Sequence, residues 1–380
     1  MRFGEPVDRR IPWVREILDL NDARASTVSG TRLRQYRRVG RVLGDSLRNG
    51  PKVVSVTTLP VSTLIYPVGF AFNHTLRLPW PYLQMNHRCL FIQVRAGGQI
   101  RNVLFNPTDF VTAEATPFFA QILEATPRPD LVKKLIAKQN GQVDEQLRAL
   151  GVKPEDIDLI AFDHFHTQDL RPILGSDVPR PDGSTWSSRF PNAFLLAPRR
   201  EWDDWDDLHP LQRNWFVADG KEGVSDDRVV LFDADLALGE GCLLLRTPGH
   251  TSGNQTIFVN GAHGVFGCSE NGCSADSWTP YESRIPGLRA HARRYDAEVV
   301  LNTNTPELTA EQYNSMVLEK SVVDRSEVDP AFVQMFPSSE VTPSPIAPGI
   351  RPTMRYGDRD YGRVQVERAR GVSAVATPAE

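Results

Sequence analysis

The chain has 380 residues, of which 40% are hydrophobic and 24% charged, as is typical of a globular protein that can bury a core. With a net charge of −4 and no lysine or arginine cluster, the sequence does not indicate a nucleic-acid partner. No apolar run approaches the roughly 18 residues of a membrane helix, and the charged first segment has no hydrophobic signal region. Four cysteines are too few for a disulfide scaffold, so we expect a reduced, cytoplasmic protein with no membrane partner.

The first 50 residues are polar and arginine-rich, and they predict an N-terminal extension with an amphipathic helix around Pro12–Leu20. Strands follow, where Gly97–Gly98 separates two β-rich runs as the turn of a hairpin does. From Thr116 to Gly151 apolar residues recur at steps of three and four, which predicts helices. Further strands are predicted at 157–162, 193–198, 229–246, 255–268 and 297–302.

These elements place the main domain at residues 51–335, with a C-terminal arm and tail at 336–380. The segment from Phe336 to Pro352 is rich in Ser, Thr and Pro, which predicts a linker or a surface arm. Trp202, Trp205 and the acidic run Glu201–Asp207 follow the strand at 193–198, and an amphipathic surface helix explains them best.

The first motif that carries chemistry is His164-Phe165-His166, directly after the apolar strand 157–162. Alternate residues of an extended segment point the same way, so both imidazoles can face one metal ion. Surface or core-packed histidines are the ordinary alternative for such a pair. Asp163 precedes the motif and is expected to point away from the site, with a hydrogen bond to a ligand histidine left open.

A second motif, Pro248-Gly249-His250, follows another apolar strand. Proline and glycine favour a tight turn that presents His250 beyond the strand end. Three histidines with an open fourth position form the ligand set of a catalytic zinc ion.

Together these segments resemble the metallo-β-lactamase superfamily over Val53–Thr305. The matching text is VKPEDIDLIAFDHFHTQDL, RTPGHTSGNQTIFV, GVFGCSENG and EVVLNTNTPE. The resemblance implies an α/β fold of the four-layer αββα sandwich type. It also implies that His164, His166 and His250 hold the first metal ion.

Other family positions are altered. The aspartate of the family's HxHxDH motif is Gln168, which cannot exchange a proton at neutral pH, and its last histidine is Asp169. We expect Gln168 to orient water and Asp169 to accept a proton, although Asp169 can equally serve as a helix cap.

The remaining family ligands fall on three further segments. The bridging acid is placed at Cys268, either as a fourth metal ligand or as a small buried hydrophobic residue. The last histidine falls at Asn304 or, in a competing alignment, at Asn302, and the first acidic turn falls at Asn106. Such donors are a poor set for a second ion, so a mononuclear site is expected.

The leading hypothesis is therefore a hydrolase with one zinc ion that attacks an ester, lactone, thioester or amide bond of a small-molecule substrate. A non-catalytic scaffold or binding protein is one alternative, because several ligands are altered. A mononuclear iron oxygenase is the other, and Cys268 counts against it because that branch has an aspartate there. The sequence does not determine the oligomeric state.

Overall fold

The computed structural model describes residues 1–125, 137–180, 182–303 and 306–366. The strands are β1 (Phe3–Pro6), β2 (Arg15–Ile17), β3 (Ser55–Pro67), β4 (Tyr82–Ala96), β5 (Gln99–Phe105), β6 (Ala137–Gln139), β7 (Leu159–Ala161), β8 (Phe194–Pro198), β9 (Val229–Phe232), β10 (Asp235–Gly239), β11 (Cys242–Arg246), β12 (Gln255–Gly261), β13 (Gly264–Ser269), β14 (Met335–Pro337), β15 (Ser339–Thr342) and β16 (Tyr361–Gly362). The α-helices are α1 (Asn21–Ala25), α2 (Ser29–Arg48), α3 (Val68–Ala71), α4 (Phe110–Ala113), α5 (Pro117–Glu124), α6 (Val143–Ala149), α7 (Arg171–Leu174), α8 (Arg199–Asp204), α9 (Ala275–Trp278), α10 (Leu288–Tyr295) and α11 (Thr309–Val322). Short 3-10 turns cover Pro154–Asp156, Asp226–Arg228, Pro280–Glu282 and Pro306–Leu308.

The strands form two mixed sheets. The first has the order β1-β2-β10-β11-β12-β13-β14, and the second has the order β16-β3-β4-β5-β7-β8-β9. In the second sheet β15 also pairs with β4, and β6 pairs with β3. Strands β5, β7, β8 and β9 run parallel, so each is connected to the next by a crossover.

Three hydrophobic clusters define the layers. One lies between the sheets and two lie on their outer faces, each against helices. Strand β11 shows the pattern: Cys242 and Leu244 face the inner cluster, whereas Leu243 and Leu245 face the outer one. A strand buried on both faces needs an uninterrupted apolar run, which CLLLR supplies. The four-layer αββα sandwich is thus confirmed.

The first 50 residues belong to the first sheet and its outer layer. No helix forms at Pro12–Leu20, so that prediction was wrong; β2 lies there instead and pairs with β10. Helix α2 covers the outer face and packs closely on α11, where a Cβ on Gly44 would lie 2.3 Å from the carbonyl oxygen of Val322.

The hairpin predicted at Gly97–Gly98 is confirmed as β4–β5, and the strand segments predicted at 229–246 and 255–268 contain the hairpins β10–β11 and β12–β13. The predicted helical region is confirmed at α5 and α6, but β6 interrupts it by pairing with β3. The part of that prediction at residues 126–136 lies outside the described residues.

The end of the chain differs most from expectation. Residues 297–302 were predicted as a strand but form none, because β14 takes the place beside β13. The prediction of a surface arm from Phe336 was wrong for β14 and β15, which are buried and join both sheets. The boundary expected between 335 and 336 therefore falls inside β14.

Among the described residues, no helix is both long enough and apolar enough to cross a membrane.

Substitution of Phe336 tests whether β14 is part of the hydrophobic core. Its ring is fully buried between the sheets with the Arg88 guanidinium 3.9 Å from the ring centre. We expect Phe336→Ala to lower the free energy of unfolding by about 3–5 kcal/mol, because it leaves a cavity. Urea denaturation measures this, with Val328→Ala, at an 88% exposed side chain, as a control that changes little. Equal values for the two variants would contradict the buried assignment.

Candidate metal centre

The three histidines of the two motifs meet at one end of the sandwich. His164 and His166 follow β7 of the second sheet, and His250 follows β11 of the first. One nitrogen from each ring lies within 4.8 Å of the others. The predicted convergence of the two motifs is therefore confirmed.

Gln255 connects the two sheets at this point. Its backbone N–H donates to the carbonyl oxygen of Asp163 at 2.8 Å, and its side-chain amide donates to that of Phe162 at 2.7 Å. The start of β12, which pairs with β11, is thereby held against the end of β7. Both ligand loops are positioned relative to one another by these bonds.

Each histidine has an oxygen acceptor on its outer side. His164 Nδ1 lies 2.8 Å from Asp163 Oδ1, and His166 Nε2 lies 2.6 Å from Gln212 Oε1. His250 Nδ1 lies 3.1 Å from the carbonyl oxygen of Asn302. Because a carboxylate or carbonyl oxygen only accepts, these three nitrogens carry the protons.

In a neutral imidazole the other ring nitrogen carries a lone pair, and for His166 and His250 these nitrogens face one another. His166 Nδ1 and His250 Nε2 are 3.3 Å apart. Two lone pairs at that separation repel unless a proton or a cation lies between them. A borderline-soft cation such as zinc takes imidazole nitrogens readily, and outer acceptors of this kind are typical of histidine ligands. The residues present therefore fit a metal ion.

Burial keeps two of the rings neutral. It lowers the pKa of His250 to about 3, and it lowers the pKa of His166 well below its ordinary value, with the neighbouring rings adding to the effect. Burial also opposes protonation of His164, but the charge and hydrogen bond of Asp163 outweigh it and raise that pKa. Neutral imidazole is the form that binds a metal.

The turn before His250 depends on close packing. A Cβ on Gly249 would lie 2.3 Å from the Cα of Gln312, so only glycine fits beside α11. Asn271 Oδ1 accepts the backbone N–H of His250 at 3.0 Å. Glycine is thus required in the Pro248-Gly249-His250 turn because α11 packs directly against it.

Cys268 is not brought into the histidine cluster. Its side chain is 1% exposed and belongs to the apolar cluster between the sheets. Burial raises the pKa of its thiol well above the ordinary value. This placement agrees with a small buried hydrophobic residue, the second of the two interpretations drawn from the sequence.

Gln168 and Asp169 are placed differently. Gln168 borders the cleft in front of the histidines and donates to the carbonyl oxygen of His166 at 3.2 Å. Asp169 forms an ion pair with Arg171 through both oxygens, at 2.8 and 2.9 Å, and accepts the backbone N–H that begins α7. Both of its oxygens are thus engaged by Arg171, and the N-cap residue of α7 is Leu170, which has no side-chain cap.

The asparagines at altered ligand positions have structural partners. Asn302 binds His250 through its carbonyl oxygen, as described, and Asn304 lies outside the described residues. Asn106 Oδ1 accepts the backbone N–H of Asp163 at 2.9 Å. The hydrogen bond from His164 to Asp163, left open by the sequence, is present, but Asp163 borders the cleft rather than pointing away.

Glu270 is the acidic residue that the sequence interpretation missed. It lies just after β13, two residues beyond Cys268, and borders the cleft. Its Oε2 accepts the backbone N–H of Ser339 at 2.8 Å. Burial and the charge of Asp163 raise its pKa. An alignment that placed the family's acid at the strand end instead of within the strand would have found it.

The cleft in front of the histidines encloses about 930 Å³ including its mouth. Its apolar lining residues include Leu64, Met85, Phe119, Leu123 and Trp215. Its polar lining residues include His87, Thr108 and Ser339, which are joined by hydrogen bonds of 2.9 and 3.1 Å. An apolar wall with a few polar groups is typical of a small-molecule site.

No protein-family model matches the sequence, and no curated protein matches it. Distant likeness is found to metallo-β-lactamase-fold lactonases and hydrolases. AidC, a dizinc quorum-quenching lactonase, is 12% identical, with 83% of this chain and 97% of that chain covered and a TM-score of 0.45. A quorum-quenching N-acyl homoserine lactone lactonase is 16% identical, with 65% and 88% covered and a TM-score of 0.42. The hydrolase AbOPH of the beta lactamase superfamily is 16% identical, with 65% and 84% covered and a TM-score of 0.39.

Substitution of Gln212 tests the role of the oxygen acceptors that bond to the histidine rings. We expect Gln212→Ala to weaken metal binding by about 10–100-fold, because His166 loses the acceptor that holds its ring and tautomer. Gln212→Glu keeps an acceptor oxygen and should retain most of the affinity. Competition with a chromophoric chelator measures both dissociation constants, and equal losses in the two variants would contradict the role of the acceptor.

Proposed function

We propose that the protein is a hydrolase in which His164, His166 and His250 hold one zinc ion. The observation that carries the proposal is that one nitrogen from each ring lies within 4.8 Å of the others, and that each ring has a nitrogen bonded to an oxygen acceptor. Three histidine ligands would leave a fourth position open, which is the ligand set of a catalytic rather than a structural zinc ion. The zinc ion would supply Lewis acidity for a carbonyl group and a nucleophilic water near neutral pH.

The chain's own residues have three tasks. The histidine loops place the reacting carbonyl at the polar end of the cleft. The apolar wall, with Phe119 and Trp215, excludes water and holds an apolar part of the substrate. Gln168 borders the same space and can orient a water molecule by hydrogen bonding.

For proton transfer we propose Glu270 in place of Asp169. Glu270 borders the cleft, and burial raises its pKa toward the range in which a carboxyl group both accepts and returns a proton. Asp169 is held by Arg171 in a buried ion pair, which occupies both oxygens. The substrate class is an ester, lactone, thioester or amide with an apolar acyl group.

Elemental analysis of the purified protein tests the metal. We expect about one zinc per chain, and none in the His164→Ala/His250→Ala variant, because three ligands are needed for tight binding. His263→Ala is the matched control, since that ring is exposed and pairs with Glu327. Iron in place of zinc would favour the oxygenase, and no metal even after reconstitution would leave the scaffold.

Glu270→Gln tests the proton acceptor. We expect kcat to fall by about 10²–10⁴-fold, because the amide keeps the shape but cannot take a proton. A series of esters, lactones and thioesters with graded acyl chains provides the assay, and zinc content should be unchanged. Asp235→Asn, at a buried carboxylate paired with Arg24, is the control and should keep its kcat. A Glu270→Gln protein as active as the parent would refute this role.

A further inference from the structure

Helix α8 contacts both loops that carry the histidines. It follows β8 without a gap, and it includes Glu201 and Trp202 of the acidic, tryptophan-rich run that the sequence predicted as a surface helix. Glu201 is only 1% exposed. A carboxylate that is removed from water must be compensated by donors, so its partners indicate what the residue is for.

The two oxygens of Glu201 bind one loop each. Oε1 accepts the backbone N–H of Phe165, between the two histidines of the first motif, at 3.0 Å. Oε2 accepts the backbone N–H of Gly253, three residues after His250, at 2.8 Å. Charge-assisted bonds from backbone donors are short and directional, so they fix the distance between the two loops.

Close packing around Glu201 also holds the two histidine loops near each other. A Cβ on Gly253 would lie 2.4 Å from Glu201 Cβ, so the turn approaches the helix as closely as backbone can. The ring of Phe165 packs on Trp205, with ring centres 5.2 Å apart. At the surface end, Asp204 accepts a hydrogen bond from Ser252 of the same turn.

We propose that Glu201 is a positioning residue that clamps the two histidine loops together and so sets the spacing of the three nitrogens. It touches neither the ion nor the substrate; it acts through the backbone of Phe165 and Gly253. The inference rests on the proposed function, because spacing matters only if the histidines share a metal ion. Asp204, at the end of α8, and Trp205, directly after it, extend the same clamp.

Glu201→Gln is the first variant. The amide keeps the shape, but its NH₂ group faces one of the two backbone N–H donors, so one loop loses its acceptor. We expect zinc binding to weaken by about 10–100-fold in chelator competition. Asp235→Asn is the matched control, because it also neutralises a buried carboxylate. Asp235 pairs with Arg24 and accepts the backbone N–H of Arg246 in β11, outside the two loop segments 164–168 and 250–254. That variant should bind zinc like the parent.

Hydrogen–deuterium exchange of the metal-free protein gives a readout that does not depend on metal. We expect faster exchange in peptides covering 164–168 and 250–254 in Glu201→Gln, and no change there in Asp235→Asn. Ser252→Ala removes only a surface contact, so it will fold even if Glu201→Gln does not. It should speed exchange at 250–254 and weaken zinc binding to a smaller degree.

The outcomes separate the two hypotheses. If the parent binds no zinc, the proposed function fails, and the exchange data alone decide whether the clamp exists. If the parent binds zinc and Glu201→Gln binds it equally well, the clamp is refuted. Equal weakening in Glu201→Gln and Asp235→Asn would also refute it, because the effect would then be general destabilisation. Unchanged exchange and affinity in Ser252→Ala would refute the extension of the clamp along α8.

Discussion

A histidine that holds a metal ion through one ring nitrogen typically donates its other ring N–H to an acceptor that orients the ring. In this chain the outer partners are Asp163, Gln212 and Asn302, which come from three separate segments. Each partner both selects the tautomer and orients the ring. The site is therefore a product of the packed sandwich rather than of two short motifs, and the loops around it are arranged to supply these acceptors.

The helical layers contribute to the site through buried carboxylates. On one side Glu201 of α8 joins the two histidine loops. On the other, Glu319 of α11 accepts from Asn271 and Trp278 at 2.8 and 2.7 Å, and Asn271 in turn accepts the backbone N–H of His250. A buried carboxylate is tolerated only with several donors, and these donors belong to the framework of the site. The outer helices thus hold the loops of the site in place as well as covering the sheets.

The sandwich was predicted from the family resemblance of the motif segments, whereas the Gly97–Gly98 hairpin and the convergence of the three histidines were predicted from local patterns: paired glycines and motifs at strand ends. Its failures have a common cause. β14 has three residues and β15 has four, which is too short to signal a buried strand, and both are held by pairing with distant strands. Glu201, Gln212 and Glu270 gain their roles from contacts across tens of residues. No pattern within a short window contains that information.

The carboxylates that border the cleft and the C-terminal strands β14 and β15 belong to one arrangement. Asp163 and Glu270 bring two carboxylates to the cleft, a place where a second cation would compensate them. Here donors from the connection between β14 and β15 do so instead: the hydroxyl of Ser338 bonds to Asp163, and the backbone N–H of Ser339 bonds to Glu270. Gln168 adds a neutral amide where a third carboxylate would raise the negative charge. Compensation by hydrogen-bond donors removes the electrostatic need for a second ion, which supports the proposal of one metal ion per chain.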